Sequence, residues 1–143
     1  MARYHNDAPA ILVMEDRSAV HASLRSYIDD QGFKIYDATT PDEMEKILSV
    51  RDVSITLLDI GDAGRDALRL CRRLRACTQS PIIVTSTQNT VVDRVAALEV
   101  GADRYLAHPL NKRELLAHMR ALSRPARPED NLDQVSDMCF SGW

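Results

Sequence analysis

Three carboxylic acids, Glu15, Asp16 and Asp59, come directly after short apolar runs of the sequence. Carboxylates that converge repel one another, unless a cation lies between them or their pKa values rise. A hard divalent cation such as Mg²⁺ prefers carboxylate and carbonyl oxygens and keeps coordination positions for water or a phosphate oxygen. If the fold brings the three acids together, we expect them to hold Mg²⁺ and Asp59 to act as a nucleophile toward phosphorus.

Further polar residues follow two other apolar runs. Ser86 and Thr87 come after residues 81–85, and His108 comes after residues 104–107. Each residue alone has an ordinary interpretation as a helix cap, a loop hydroxyl or a partly exposed histidine. Only their placement at one edge of a sheet would favour a shared site. Whether they share a site therefore depends on the strands that they follow.

Five short apolar runs alternate with segments that have apolar residues at helical spacing. This alternation of strand and helix predicts an α/β fold with a parallel sheet, doubly wound and of the (βα)5 type. In such sheets the functional crevice lies beyond the carboxyl ends of the strands, where the polar residues above would meet. The runs cover residues 10–14, 33–38, 53–58, 81–85 and 104–107.

Local signals at the helix ends agree with this division. Residues 40–43, Thr-Pro-Asp-Glu, supply a capping oxygen, a first-turn proline and a glutamate that can return to the cap amide. Residues 111–114 repeat the pattern with Asn111 as the cap. Gly32 and Gly101 follow helical segments, where a residue with positive φ commonly closes the last turn.

Composition limits the class of protein. The chain has 143 residues, 45% hydrophobic and 27% charged, with a net charge of −3. These values predict a globular domain and argue against a basic coat for nucleic acid. The three cysteines form no CxxC pair, and no apolar run is long enough to span a bilayer. We therefore expect a cytoplasmic protein without a membrane association.

Four segments together resemble the receiver domain of two-component response regulators. The resemblance covers residues 9–123 and implies a flavodoxin-like sheet with strand order 2-1-3-4-5. It implies a regulatory domain that accepts a phosphoryl group from a sensor histidine kinase and loses it slowly. Beyond that self-phosphorylation and autodephosphorylation, no enzymatic activity is expected. The segments are ILVMED (11–16), SITLLDI (54–60), PIIVTST (81–87) and GADRYLAHPL (101–110).

The resemblance also implies roles for individual residues. The acidic pair that holds Mg²⁺ in the family matches Glu15 and Asp16, and the phospho-accepting aspartate, itself a metal ligand, matches Asp59. The backbone carbonyl of Gly61 matches a further metal ligand. Among the residues that bind the phosphoryl group and switch, Ser86 matches the family's Thr/Ser, with Thr87 beside it. Tyr105 matches the aromatic residue whose rotamer follows that hydroxyl.

The pattern departs from the family at His108, where a lysine usually precedes the proline. An imidazole is shorter than a lysine side chain and is not permanently charged. The alternative interpretation is therefore a pseudo-receiver that binds partners or dimerises independently of phosphorylation. Two other classes fit less well, since an aspartyl phosphatase would need an acid at Gly61. An FMN-binding protein would need a Ser/Thr-rich loop at Glu15.

Six residues match positions that pair receivers of the OmpR/PhoB type through the face of the fourth helix, fifth strand and fifth helix. One acidic position of that set is an arginine here, opposite a histidine where an arginine is usual, so one pair is lost or repulsive. Ordinary exposed charges explain these residues equally well. They are Arg94, Glu99, Arg104, Glu114, His118 and Arg120.

Residues 124–143 begin with a Pro- and charge-rich stretch that predicts a linker. The spacing of Phe140, Gly142 and Trp143 resembles the opening strand of the winged-helix DNA-binding domain of OmpR/PhoB-type regulators. A disordered tail is nearly as good an interpretation. If the resemblance holds, DNA binding and transcriptional output belong to a domain that is absent from this chain.

Overall fold

The computed structural model describes residues 9–15, 21–61 and 65–123. Asp16, residues 62–64 and the predicted linker and strand of residues 124–143 lie outside these ranges. Within the described ranges, no helix has both the length and the apolar character needed to cross a membrane.

Five strands and five helices alternate along the chain, and the strands form one parallel sheet in the order β2-β1-β3-β4-β5. The predicted fold class and strand order are therefore confirmed. The elements are β1 (Ala10–Glu15), α1 (His21–Asp30), β2 (Lys34–Ala38), α2 (Pro41–Val50), β3 (Ile55–Gly61), α3 (Arg65–Cys77), β4 (Ile82–Ser86), α4 (Val91–Glu99), β5 (Arg104–Ala107) and α5 (Lys112–Ser123).

Three strands continue further than the apolar runs predicted. The runs ended at residues 14, 58 and 85, whereas the strands end at Glu15, Gly61 and Ser86. The reason is that backbone pairing does not depend on side-chain polarity: Glu15 pairs with Asp59, and Gly61 pairs with Ser86 after a register shift. The polar residues therefore belong to the last positions of the strands, where the sheet itself fixes their spacing.

The sheet is covered on both faces, as expected for a parallel sheet. Alternate strand residues such as Ile11, Leu57 and Ile83 pack with α1 and α5. The intervening residues, including Leu12 and Leu58, pack with α2, α3 and α4. Because side chains alternate between faces, each strand reaches its polar end with a defined side chain on each face.

The predicted caps are present, with one difference. The Thr40 hydroxyl accepts a hydrogen bond from the Glu43 amide at 3.1 Å, and Asn111 Oδ1 accepts one from the Glu114 amide at 3.0 Å. The Glu43 carboxylate accepts a hydrogen bond from the amide of Thr39, one residue before the cap, at 2.8 Å. The hydrogen bonds from Thr39 hold the pKa of Glu43 below its ordinary value.

Gly101, which follows α4, has φ +133° and lies under the side chain of Arg75. A Cβ at this position would come 2.7 Å from Arg75 Cγ, so only glycine fits. The Arg75 guanidinium donates to the carbonyls of Gly101, Thr78 and Ser80 and to Asp103 Oδ2, at 2.7–3.2 Å. Arg75 therefore joins the end of α3 to the turn that leads into β5.

Cys71 and Cys77 both lie on α3. Burial raises the pKa of the Cys71 thiol, and desolvation raises that of the Cys77 thiol, which is exposed. Neither environment favours a reactive thiolate.

Candidate functional site

Asp59 lies near the carboxyl end of β3, one of the three inner strands of the sheet, and only 3% of it is exposed. Its Cα pairs with Glu15 of β1 on one side and with Thr85 of β4 on the other. The first and third strands therefore bring the predicted acids to the same edge. For Glu15 the structure gives this backbone position, and Asp16 lies outside the described residues.

Described residues from three places in the fold contact one carboxylate oxygen of Asp59, Oδ1. The Thr85 hydroxyl donates to it at 2.9 Å, His108 Nε2 lies 3.1 Å away, and the Gly61 amide donates at 3.3 Å. An ionised carboxylate only accepts hydrogen bonds, so the contact with His108 is a hydrogen bond when Nε2 carries the hydrogen. These donors offset the cost of burying the carboxylate away from water.

His108 reaches Asp59 because β5 ends beside β4. Its backbone N–H donates to the Ser86 carbonyl at 2.7 Å, which fixes the chain just after β5. The His108–Pro109 peptide bond that follows is cis. The imidazole then spans the end of β4 to reach β3, and 15% of it is exposed.

The Gly61 carbonyl faces β4. It accepts hydrogen bonds from Thr87 N at 2.8 Å, Thr87 Oγ1 at 3.0 Å and Ser86 Oγ at 3.0 Å. This orientation goes with a φ of +55° at Gly61, which a glycine adopts at little cost, and with the register shift after Asp59. To bind a metal ion as predicted, the carbonyl would have to leave these donors.

Ser86 and Tyr105 meet at a residue that the sequence interpretation did not single out. Ser86, which is fully buried, accepts a hydrogen bond from Gln88 N at 3.0 Å. Tyr105 Oη donates to the Gln88 carbonyl at 2.7 Å. The backbone of Gln88 therefore lies between the end of β4 and β5 and is hydrogen-bonded to both Ser86 and Tyr105. Because only backbone atoms of Gln88 take part, no sequence signal marks it.

Thr85 is the second residue that the sequence interpretation missed, since it stands at the end of an apolar run. Its hydroxyl is buried and directed to Asp59. A signal was available in principle: in a parallel sheet, in-register neighbours lie on the same face, and Thr85 is the β4 neighbour of Asp59. Using that signal requires the register, which the sequence alone does not reveal.

The six residues of the predicted dimer surface lie on α4, β5 and α5. Their described contacts are to residues near in sequence, except that Arg120 contacts Gln31, which follows α1. Arg94 donates to Asn89 Oδ1 at 2.7 Å and Arg104 to the Asp103 carbonyl at 2.9 Å. His118 and Glu114 lie 3.9 Å apart on one helix, and Arg120 donates to Gln31 at 3.2 Å. Glu99 is exposed near the end of α4. Exposed apolar side chains accompany them on α4, namely Val91, Val92, Val95 and Leu98.

The donor chemistry at this edge suits a hard divalent cation, since Asp59 presents a buried carboxylate and the paired position on β1 is Glu15. Within the described residues, no three His, Cys, Asp or Glu side chains converge. The fit therefore depends on the acids at positions 15 and 16 in addition to Asp59.

A buried aspartate near the carboxyl end of an inner strand of a 2-1-3-4-5 sheet, with the Thr85 hydroxyl and an imidazole beside it, defines a flavodoxin-like domain with an acidic site at the strand ends. The family model described as "Response regulator receiver domain" matches residues 11–120. The chain belongs to this family.

Two curated proteins are similar in sequence to most of this chain. Aerobic respiration control protein ArcA of Escherichia coli K12 is 32% identical over 94% of this chain and 58% of its own length. Response regulator MprA of Mycobacterium avium is 38% identical over 92% of this chain and 58% of its own length. The chain thus spans little more than half the length of these relatives.

Solved structures share the fold. The BeF3-activated N-terminal receiver domain of Klebsiella pneumoniae RstA has a TM-score of 0.72 at 27% identity and covers 81% of this chain and 99% of its own. The receiver domain of the TMAO respiratory system regulator TorR has a TM-score of 0.71 at 31% identity, covering 80% and 95%.

Proposed function

We propose that this chain is the phosphoryl-accepting receiver domain of a cytoplasmic two-component response regulator, phosphorylated on Asp59 by a sensor histidine kinase. The observation that carries the proposal is the position of Asp59, whose buried carboxylate lies near the carboxyl end of an inner strand, in contact with Thr85 and His108. Phosphoryl transfer requires mainly positioning and charge neutralisation, and this edge of the sheet offers both. The domain is a regulator whose own chemistry is limited to gaining and slowly losing the phosphoryl group.

We assign the Mg²⁺ site to Glu15, Asp16 and Asp59, with the Gly61 carbonyl as a further ligand once it leaves Ser86 and Thr87. When bound, the ion neutralises the charge of the incoming phosphoryl group. The chain's own residues hold the Asp59 carboxylate in place and exclude water from its β4 side, where Thr85 is buried.

The switch consists of Ser86, Thr87, Tyr105 and His108. Phosphorylation adds about −1.5 to −2 charges at Asp59, which attracts hydroxyl hydrogens toward the phosphoryl oxygens. In the described state both hydroxyls of the Ser86-Thr87 pair donate to Gly61, and Gln88 joins Ser86 to Tyr105. Drawing Ser86 toward the phosphoryl group breaks its hydrogen bond to the Gly61 carbonyl and shifts the backbone of Gln88, which is bonded to both Ser86 and Tyr105. The conformational change thereby passes from β4 to β5.

The output follows from the kind of regulator that the relatives represent. We propose that residues 9–123 are the receiver and residues 124–143 a linker with the start of a winged-helix domain, as in OmpR/PhoB-type transcription regulators. Phosphorylation would then favour a homodimer through α4, β5 and α5. The DNA would be bound by the absent carboxyl-terminal domain.

A second candidate is a pseudo-receiver that works without phosphate, and His108 is the observation that favours it. A neutral imidazole contributes a hydrogen bond but no charge to the phosphoryl oxygens. The four residues Glu15, Asp16, Asp59 and Ser86 favour the first candidate, because a domain that never accepts phosphate has no need of that set.

Incubation with Mg²⁺ and acetyl phosphate, read by intact mass, separates the two candidates. The receiver gains one phosphoryl group, and Asp59→Asn does not. No gain by the native chain, under conditions where it binds Mg²⁺ in a titration, would support the pseudo-receiver.

A further inference from the structure

The Thr85 hydroxyl, described above only as holding the Asp59 carboxylate in place, has no assigned part in the gain or loss of phosphate. It is buried between the strands, with Oγ1 at 2.9 Å from Asp59 Oδ1. The contact is set by the sheet, because Thr85 and Asp59 are paired residues of neighbouring strands. Thr85 therefore meets the carboxylate at a position that movements of the surrounding loops do not change.

A hydrogen bond to an ionised carboxylate is stronger than one to a neutral acceptor. When ionised, the unphosphorylated Asp59 carboxylate carries a full charge shared by its two oxygens. In the acyl phosphate one carboxyl oxygen is bonded to phosphorus and the other is a neutral carbonyl. The Thr85 hydroxyl consequently stabilises unphosphorylated Asp59 more than phosphorylated Asp59.

Hydrolysis of the acyl phosphate restores that charge. The water oxygen forms a bond to phosphorus, and the bond between phosphorus and the Asp59 oxygen breaks. Its electron pair returns to the carboxylate, while the water proton passes to solvent. Because negative charge grows on both carboxylate oxygens in the transition state, a donor fixed at Oδ1 lowers the barrier whichever oxygen carried the phosphorus.

We propose that Thr85 shortens the lifetime of phosphorylated Asp59 by stabilising the leaving carboxylate through this hydrogen bond. The inference rests on the proposed phosphorylation of Asp59. It predicts opposite effects on the loss and the gain of the phosphoryl group, because the hydrogen bond from Thr85 also stabilises the Asp59 carboxylate before it is phosphorylated. Loss of the hydroxyl slows the loss of phosphate and does not slow its gain. A damaged site would slow both.

The chain offers a matched control in Thr56. It is another buried threonine on a sheet strand, and among the described residues its hydroxyl has no hydrogen-bond partner. Thr56→Val therefore makes the same change of side chain in the sheet without touching Asp59.

The test follows the phosphorylated fraction by intact mass, first on addition of acetyl phosphate with Mg²⁺ and then after its removal. We expect Thr85→Val to lose phosphate about tenfold more slowly than the native chain, with a rate of gain no lower. Thr85→Ser restores the native decay, and Thr56→Val decays as the native chain does. Thr85→Ala supplies a second variant without the hydroxyl if the valine variant does not fold.

Two results would overturn the inference alone: native decay in Thr85→Val and Thr85→Ala, or an equal slowing of gain and loss in both. If the native chain gains no phosphoryl group, the proposed function and the role of Thr85 fail together. If the native chain is phosphorylated at Asp59 but Thr85→Val and Thr85→Ala lose the phosphoryl group at the native rate, only the role of Thr85 is contradicted.

Discussion

The imidazole of His108 contacts the carboxylate of Asp59 directly, with Nε2 3.1 Å from Oδ1. The contact joins the ends of β5 and β3 across β4, at the position where the family usually has a lysine. Lysine carries a permanent charge on a longer and more flexible side chain. In this chain the corresponding group is an imidazole that lies directly against the proposed phosphate acceptor.

Replacing this histidine tests how much charge the site needs. His108→Lys is expected to raise the initial rate of phosphorylation by acetyl phosphate by about tenfold, equivalent to ~1.4 kcal/mol, because a permanent cation stabilises the transferring phosphoryl group. The rate is measured by intact mass at fixed Mg²⁺. His108→Gln is the control, because it keeps an N–H donor without a charge. A lysine variant no faster than the glutamine variant would contradict the prediction.

The buried hydroxyl of Thr56 provides a test of stability. Among the described residues it has no hydrogen-bond partner, so no hydrogen bond offsets the free energy of removing it from water. Thr56→Val, which has the same shape, is expected to raise the free energy of unfolding by about 1 kcal/mol. The measurement is the urea midpoint at constant m-value.

Thr85→Val is the matched comparison for that experiment. Its hydroxyl donates to Asp59, so the same substitution is expected to lower the free energy of unfolding by about 1.5–3 kcal/mol. Equal changes in the two variants would show that the partner of the hydroxyl does not matter.

Alanine substitutions at Gly101 and Gly32 distinguish a steric clash from backbone strain. Both have positive φ, but a Cβ would meet Arg75 at Gly101, whereas nothing lies within 4 Å at Gly32. We expect Gly32→Ala to destabilise the fold by about 1–2 kcal/mol through backbone strain alone. Gly101→Ala is expected to cost about 1–3 kcal/mol more, because Arg75 must move.

The contribution of Arg75 to this difference is checked by thermal or urea unfolding of Gly101→Ala in an Arg75→Gly background, because alanine at 75 would keep the Cβ that lies 2.8 Å from the added methyl group. The additional destabilisation should fall toward that of Gly32→Ala there, since the three Arg75 carbon atoms near the added methyl group are gone. Equal costs for the two glycine variants in the native background would contradict the steric explanation.

The hydrogen bonds from Thr39 to Glu43 predict a dependence of stability on pH. They lower the pKa of Glu43 in the folded state, so they stabilise the fold above its unfolded-state pKa. This contribution is lost as the pH falls through the lowered folded-state pKa. Glu43→Gln is therefore expected to be less stable than the native chain at pH 7, and the difference should shrink in acid.

Urea midpoints at several pH values measure that difference. In a Thr39→Ala background, which removes the hydroxyl donor but keeps the amide, the effect of Glu43→Gln should be smaller. A difference that stays constant with pH would show that the carboxylate charge takes no part in the cap.

Many of the strands, helices and helix caps can be predicted from the amino-acid sequence. The apolar runs, the caps at Thr40 and Asn111 and the alternation of strand and helix depend on local patterns, so they predict the parallel sheet correctly. The strand order came from the resemblance to the receiver family, and it is also confirmed. The strand ends were placed too early, because Asp59 and Ser86 are polar and a pattern of hydrophobicity stops before them. Backbone pairing carries β3 and β4 onward regardless of that polarity.

Residue types alone establish which chemical groups are available: carboxylates at positions 15, 16 and 59, a hydroxyl at 86 and a histidine in place of lysine at 108. How these groups are connected depends on the folded chain. It directs the Gly61 carbonyl to Ser86 and Thr87, links Ser86 to Tyr105 through Gln88, and brings Thr85 and His108 to one oxygen of Asp59. The physical reason is that strand register and backbone hydrogen bonds depend on contacts between distant segments, which local residue patterns do not encode.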